Sequence, residues 1–395
     1  MTLLLQRADG ASLAVTNGLI GGFDADEVLD VGEGRWRPGS VCAHTHLYSG
    51  LVPLGMPAPE PPPQSFVQIL ERVWWRLDRA LDADMLRASA RLYLAEAALA
   101  GTTTLIDHHE SPNLIAGSLD ILADTAEELG LRAVLCYGAT ERNGGRTEAQ
   151  AGLDECGRFV RRRSGGLLRG MVGLHASFTV SDETISDAGA LARRLGVGVH
   201  VHLAEDRADV ADAIARGYEG PLERLIALDA LPAGSLLPHG IWLSEAQVER
   251  AVAEGGWFVQ NPRSNDGNKV GYPSALAITD RVGLGTDGYP ADMRAEAAAG
   301  AALSQAAGQA ADLPARRLQQ GAALVHALYG HPASDLEPGS LGDVVVEDAA
   351  GRVREVVVGG RVVIAKGTLV TADLEQIRAE AHEQAARLWA RMKEL

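Results

Sequence analysis

Cysteine is scarce in this 395-residue chain: Cys42, Cys136 and Cys156 are the only three, and no two share a CxxC spacing. So few, so widely spaced, exclude a disulfide framework and a cysteine-rich zinc site, and reduced thiols in a cytoplasm are the simple expectation. Lysine is equally rare, with only Lys269, Lys366 and Lys393. No apolar run approaches the roughly 20 residues that cross a bilayer. Met1 is followed by neither a basic segment nor a long apolar stretch, so no secretory leader is expected. Positive charge is short throughout, and the formal net charge is −16. A diffuse negative field repels nucleic-acid backbones and anionic membranes, so neither is expected as a partner. Several enzyme signatures are missing too. There is no HExxH helix, no PCxxC and no GxSxG elbow.

What is present is an ordinary globular composition, 46% hydrophobic and 22% charged, long enough to bury a core without disulfides. The first forty residues read as short strands (Leu3–Gln6, Leu13–Thr16, Gly18–Gly21, Glu27–Val31) with turns at Asp9-Gly10 and Asn17-Gly18. A matching set lies near the other end: Asp343–Glu347, Val353–Val358 and Arg361–Ile364. Neither set can bury a face alone, so the two are expected to pair into one small β-sandwich. Between them, short apolar strands alternate with long Ala/Leu/Arg/Glu stretches of helical period. The strands are Ser40–Ala43, Thr102–Asp107, Arg132–Tyr137, Met171–Leu174, Gly198–His202, Ser235–Pro238, Trp257–Gln260 and Val282–Gly285. Such alternation implies parallel strands with crossover helices, and eight units imply a closed α/β barrel of the TIM-like (β/α)8 kind. The expected division is residues 1–37 and 339–371 for the sandwich, 38–338 for the barrel, and 372–395 for an amphipathic helix packed on the barrel. A proline-rich stretch, Met56–Ser65, reads as a stiff loop over the barrel mouth or as a solvated connector.

In a parallel barrel, reactive groups sit at the C-terminal ends of strands. Those ends carry His44 and His46, His108 and His109, His175, His202 with Glu205, His239, and Asp287. Eight of the eleven histidines lie in or at the ends of these strands; only His326, His331 and His382 do not. The i, i+2 spacing of His44-Thr45-His46 turns both imidazoles to one side of an extended backbone, and His200-Val201-His202 repeats it. A single HxH pair is weak evidence. The whole set is hard to explain as core filling, because buried His and Asp are costly unless paired or metal-bound. Three imidazoles and a carboxylate suit Zn²⁺ first and Fe²⁺ second. Glu205 either shuttles protons beside a metal-activated water or complements a helix N-terminus.

These residues resemble the amidohydrolase superfamily. The segments that carry the likeness are AHTHLYSGL (43–51), LERVWWRLD (70–78), GTTTLIDHHESP (101–112), LHASFTVSDET (174–184), HVHLAED (200–206), HGIWLSE (239–245), NPRSN (261–265) and GLGTDGYPADM (283–293). The resemblance covers nearly the whole chain. It is nearest to the branch of S-adenosylhomocysteine, guanine and cytosine deaminases and triazine hydrolases, and within it to SsnA-type aminohydrolases. It implies that His44, His46, His202 and Asp287 hold a metal. Glu205 would protonate a ring nitrogen, His239 would orient the attacking water, and Asp287 would take its proton. Binuclear members bridge two metals through a carbamylated lysine on strand four. No lysine precedes Lys269, and His175 stands at that strand end, so one divalent ion per chain is expected. His175 is similar in place to a substrate-contacting histidine. His108, His109, Tyr48, Trp75 (with its neighbour Trp74) and Arg263 are further candidate substrate contacts, and His108 and His109 leave a second ion open.

The resulting expectation is hydrolytic deamination of an amino-substituted purine, pterin or pyrimidine, with release of ammonia. Two alternatives stand beside it: hydrolysis of a cyclic amide or of a chloro or alkylamino group, and an idle barrel used for binding. A small-molecule substrate and a homodimer complete the reading.

Overall fold

The computed structural model describes residues 2–22 and 25–395. Two small sheets built from the chain ends face each other. One joins Thr2–Arg7, Ser12–Thr16, Leu19–Ile20 and Glu27–Gly32. The other joins Val344–Glu347, Val353–Val358, Arg361–Ala365 and Thr368–Leu369 with one N-terminal strand, Arg35–Pro38. Leu3, Leu5, Val15 and Ile20 meet Val344, Val346 and Val357 in the layer between. Each such side chain contributes roughly 1.5–3 kcal/mol by leaving water. The strand Arg35–Pro38 went unread because its residues, Arg-Trp-Arg-Pro, carry no apolar alternation. Its place is set by pairing with Val344–Glu347, about three hundred residues away (Val344 opposite Pro38, Glu347 opposite Arg35).

The chain between the sheets forms a (β/α)8 barrel. Its first strand, Ser40–Thr45, pairs in parallel with Thr102–Asp107, which pairs with Arg132–Leu135. Val172–Ala176, Val199–His202, Leu236–Pro238, Trp257–Gln260 and Val282–Leu284 follow in parallel order. The third and fourth strands are each broken. Arg132–Leu135 pairs with Leu168–Gly170, whereas Gly138–Ala139 pairs with Val172–Ala176. The backbones crowd there: a Cβ on Gly173 would lie 2.3 Å from the Tyr137 carbonyl oxygen. The barrel closes where Thr45 bridges Asp287 in parallel.

The C-terminal helix, Leu374–Glu394, buries Ile377, Ala381, Ala385 and Leu388, and its main partner is the helix Ala83–Leu99. Trp389 donates to the Leu54 carbonyl at 3.1 Å. The apolar stripe of this helix is therefore covered by its own chain. No helix among the described residues is long and apolar enough to cross a membrane.

One buried ion pair fastens the sandwich to the barrel. Arg132, on the third strand, grips Asp343 through Nε at 2.6 Å and Nη2 at 3.0 Å. Asp343 also accepts from Gly359 N at 3.0 Å. Breaking such a pair from one side leaves an uncompensated charge and costs about 3–5 kcal/mol, whereas replacing both partners by apolar groups costs little. Arg132→Met is expected to lower the unfolding free energy by about 3–5 kcal/mol. Combined with Asp343→Leu it should recover most of that loss. Urea unfolding checks both, and a single variant with the wild-type midpoint would show that the pair does not fasten the two parts.

Candidate metal centre and active site

The barrel strands deliver the site residues through local backbone geometry. His44 and His46 project from the end of the first strand, and the first strand's partner at closure is Asp287 itself. Thr286 N and Asp287 N donate to the His44 carbonyl at 2.9 and 3.1 Å, and His46 N donates to the Asp287 carbonyl at 3.3 Å. Asp287 and His239 hold positive φ angles of 53° and 78°. That region is costly for side chains bearing a Cβ and persists only where surroundings enforce it. Gly285 lets the eighth strand approach the first, since a Cβ there would stand 2.7 Å from the His44 carbonyl oxygen.

Side-chain donor atoms of His44, His46, His202 and Asp287 all lie within 4.8 Å of one another. Each imidazole is aimed by its other nitrogen. His46 Nδ1 donates to the His108 carbonyl at 2.5 Å, and His202 Nδ1 donates to the His175 carbonyl at 2.6 Å. His44 Nδ1 lies 2.9 Å from Nε2 of His200, whose Nδ1 is 3.6 Å from the Cys136 sulfur. His44 Nε2 is buried with no hydrogen-bond partner, which is how a metal-donor nitrogen presents itself. His200 thus supports His44 from below.

The electrostatics match. Burial pushes His44 down to about 3 and holds His202 and His239 low, so these rings are neutral, the form that binds metal. Burial also opposes charge on His46 and Asp287, but the 2.8 Å contact between them outweighs it: His46 rises to about 9 and Asp287 falls well below the usual range. Positive charge is thereby shared where a cation would sit. A donor set of three imidazoles and one carboxylate fits a divalent ion.

Two further groups flank this set. Glu205 Oε2 lies 3.5 Å from His239 Nε2, and His239 Nδ1 is held by Asn265 Oδ1 at 2.9 Å. Burial, then the charge of Asp287, pushes the Glu205 carboxyl well above its usual range. On the other side, Glu110 lies 3.8 Å from His175 and 3.1 Å from His108. A cavity opens onto both, walled by Tyr48, Phe66, Leu70, Trp74 and Phe178.

The Amidohydrolase family profile matches residues 37–363. The chain belongs to the amidohydrolase family. It is 30% identical to a 5-methylthioadenosine/S-adenosylhomocysteine deaminase of Desulforudis audaxviator, over 94% of this chain and 91% of the relative. Among solved structures it is similar to an adenosine deaminase from Xanthomonas campestris with bound zinc (23% identity, TM-score 0.83, 98% of each chain). It is also similar to a zinc-complexed atrazine chlorohydrolase from Arthrobacter aurescens (19% identity, TM-score 0.78, 97% of this chain and all of the other). As a member of that family the chain is a hydrolase, with a donor set that could hold a metal ion.

Four expected substrate contacts lie off the cavity lining. Arg263 does not reach the cavity: its Nε binds Glu296 at 2.5 Å and its Nη2 donates to the Pro290 carbonyl at 2.6 Å. A guanidinium satisfied by a buried carboxylate is not free for a ligand. Trp75 packs between His175, with ring centres 6.1 Å apart, and the Arg142 guanidinium at 4.8 Å, while Trp74 forms the wall. The π-helical turn Leu70–Trp74 re-phases the side chains there. His109 is turned from the cavity, with Nε2 2.7 Å from Ser111 Oγ. His108 is also off the wall. Its Nε2 meets the Leu174 carbonyl at 3.0 Å, while its ring lies 4.5 Å from that of His202. Tyr48 and His175 do line the cavity. The proline loop does not, although the helical segment that follows it does.

Sequence reasoning missed Glu110, Arg142, Asp78 and the Asn265 and Ser264 that support His239 and Asp287. Glu110 stood inside a quoted segment, one residue past the paired histidines, and its acidic type at a strand end was the available signal. His200→Leu removes the acceptor behind His44 and is expected to weaken divalent-metal affinity about 10–100-fold. Chelator competition measures this, and an unchanged affinity would show that His44 is not held through His200.

Proposed function

We propose that this amidohydrolase is a hydrolytic deaminase of amino-substituted N-heterocycles of the purine, pterin or pyrimidine type. The observation that carries the reading is the convergence of His44, His46, His202 and Asp287 within 4.8 Å, with Glu205 and His239 immediately beside them. The deaminase relative supports the reaction, as it spans nearly the same length of chain. In this reading those four residues hold one divalent ion, zinc in preference to iron. Such an ion lowers the pKa of a water toward about 7.

The chain's own residues then manage protons and orientation. Asp287, acceptor-only while ionised, takes the proton of the attacking water through its carboxylate. Glu205, kept protonated by its buried setting, gives a proton to the ring nitrogen beside the attacked carbon. Once that carbon is tetrahedral, the proton held by Asp287 passes to the departing amino group, which leaves as ammonia, while Glu205 recovers its proton from the new hydroxyl as the carbonyl forms. His239, fixed by Asn265, presents Nε2 to the attacking oxygen from the opposite side. Phe66, Leu70, Trp74 and Phe178 offer an apolar clamp for a flat ring and exclude water. The same reading keeps residues 38–338 as the catalytic barrel, 1–37 and 339–371 as the sandwich, and 372–395 as its helix. A cytoplasmic homodimer belongs to it as well; light scattering tests the dimer.

Purified protein should carry about one zinc or iron per chain, and chelation should abolish turnover, with recovery on adding metal back. A metal-free active enzyme would overturn the assignment. Glu205→Gln should retain the metal and lose about 10²–10⁴ in kcat, the usual worth of a positioned proton donor; unchanged turnover would remove its role. An ammonia-detecting screen of amino-heterocycles, run beside a chloride-release assay, decides between deamination and the displacement of other leaving groups.

A further inference from the structure

Across the metal-ligand set from Glu205 lies a second carboxylate that the scheme above does not use. Glu110 is 3% exposed and lines the same cavity. Its Oε1 has no hydrogen-bond partner, and the 3.1 Å approach to His108 Nδ1 is not aligned as a bond. Room for it comes from the third strand: a Cβ on Gly138 would stand 3.0 Å from Glu110 Oε1 and 2.4 Å from the His108 ring. Behind it, Arg142 lies 3.5 Å away and is shared with the buried Asp78 at 2.7 Å. Burial opposes ionisation of Glu110, and the permanent charge of Arg142 behind it favours the carboxylate.

His175 has its bonding fixed by its neighbours. The Thr179 hydroxyl donates to the Ala176 carbonyl at 3.0 Å, so it accepts from His175 Nδ1, 2.9 Å away. The His175 Nε2 left facing Glu110, 3.8 Å off, is then a bare acceptor. Two acceptors side by side on one wall call for donors on the ligand. The rest of the lining adds Glu205, Asp206, Asp209 and Asp287, and no lysine or arginine among the described residues lines the cavity. Apart from the ion that the metal-ligand set would hold, nothing on that lining pairs with a phosphate or a carboxylate, and burying either beside Glu110, Asp206 and Asp209 is costly.

We propose that Glu110, with His175 beside it, is a specificity-determining pair that accepts hydrogen bonds from a second N–H-bearing edge of the substrate, and that the site takes neutral or cationic amino-heterocycles without anionic substituents. The proposal rests on the deaminase reading and sharpens it: an α-carboxylate or phosphate tail finds no partner in this cavity, whatever relatives of the chain accept.

Binding, not turnover, is the readout that separates the two ideas. Metal-loaded Glu205→Gln protein is titrated calorimetrically with adenosine, adenosine 5′-monophosphate and 2,6-diaminopurine riboside. The diamino compound should bind about tenfold or more tighter than adenosine, and the monophosphate at least about tenfold weaker, the scale of a charge-assisted hydrogen bond gained or lost. Adding Glu110→Gln, near-isosteric and uncharged, should shrink both ratios by about the same factor. His175→Phe should erase the diamino preference alone. Thermal midpoint and metal content show whether each variant is folded, and the three ligands on Glu205→Gln protein test the proposal even if they are not. Equal binding of nucleoside and nucleotide, no binding of any of the three, or ratios unmoved by Glu110→Gln would overturn it. Wild-type protein that releases no ammonia from any amino-heterocycle, while these preferences hold, defeats the deaminase reading and leaves the Glu110 assignment standing.

Discussion

The hydrogen bonds that close the barrel are the ones on which the site depends. Thr286 N and Asp287 N reach the His44 carbonyl, and His46 N reaches back to the Asp287 carbonyl. Strands one and eight are separated by more than two hundred residues, so their contact exists only because six other strands have paired in order between them. Once they meet, the carboxylate of Asp287 has no other place than beside His44 and His46. Thr45 and Thr286 reinforce the seam through Tyr93, whose hydroxyl meets Thr286 Oγ1 at 2.9 Å. The backbone pays for the arrangement with positive φ at Asp287 and His239, tolerated because closure over-determines both positions.

How much of this was legible in the sequence follows from which contacts are periodic and which are not. Strands with an apolar run, such as Thr102–Asp107 and Trp257–Gln260, announce themselves, and in a parallel barrel the residue after such a run faces the mouth. His44, His46, His202, His239 and Asp287 were placed at the mouth for that reason, together with His108, His109 and His175, and the family resemblance singled them out. Arg263 was misread because its partner, Glu296, lies on another helix and nothing in the local sequence reveals the pairing. Trp74 lines the cavity and Trp75 does not, because one π-helical turn shifts the face by a residue, a shift no amphipathic count detects. The strand Arg35–Pro38 was invisible for want of alternation; its partner strand, not its own sequence, makes it a strand.

Acidity inside the cavity and acidity of the whole chain share a direction. With a formal charge of −16 and only three lysines, the arginines are spent on specific carboxylates: Arg132 on Asp343, Arg263 on Glu296, Arg142 on Asp78 and Glu110. The guanidinium fork suits such buried pairs better than an ammonium does. The consequence reaches the site. Cations stand behind the wall as structural partners, and the wall itself presents carboxylates and neutral imidazoles to whatever enters.

That division bears on the number of metals. Three more groups of potential ligands lie close by: His46 with His108 and Glu110, Glu110 with His175 and His202, and Glu205 with His239 and Asp287. The first two borrow an imidazole from the first set, and the third borrows Asp287, whose Oδ2 already accepts from Ser264. His46 and His202 have each committed Nδ1 to a backbone carbonyl, so each has one nitrogen left, and one nitrogen lone pair serves one ion. A second ion would have to take its ligand from the first, or do with two protein groups where closed sites use four. No lysine stands near the fourth strand to bridge a pair. Glu110 and His175 are thus better matched to a substrate's N–H groups than to a cation, and the one-metal reading and the acceptor wall support each other.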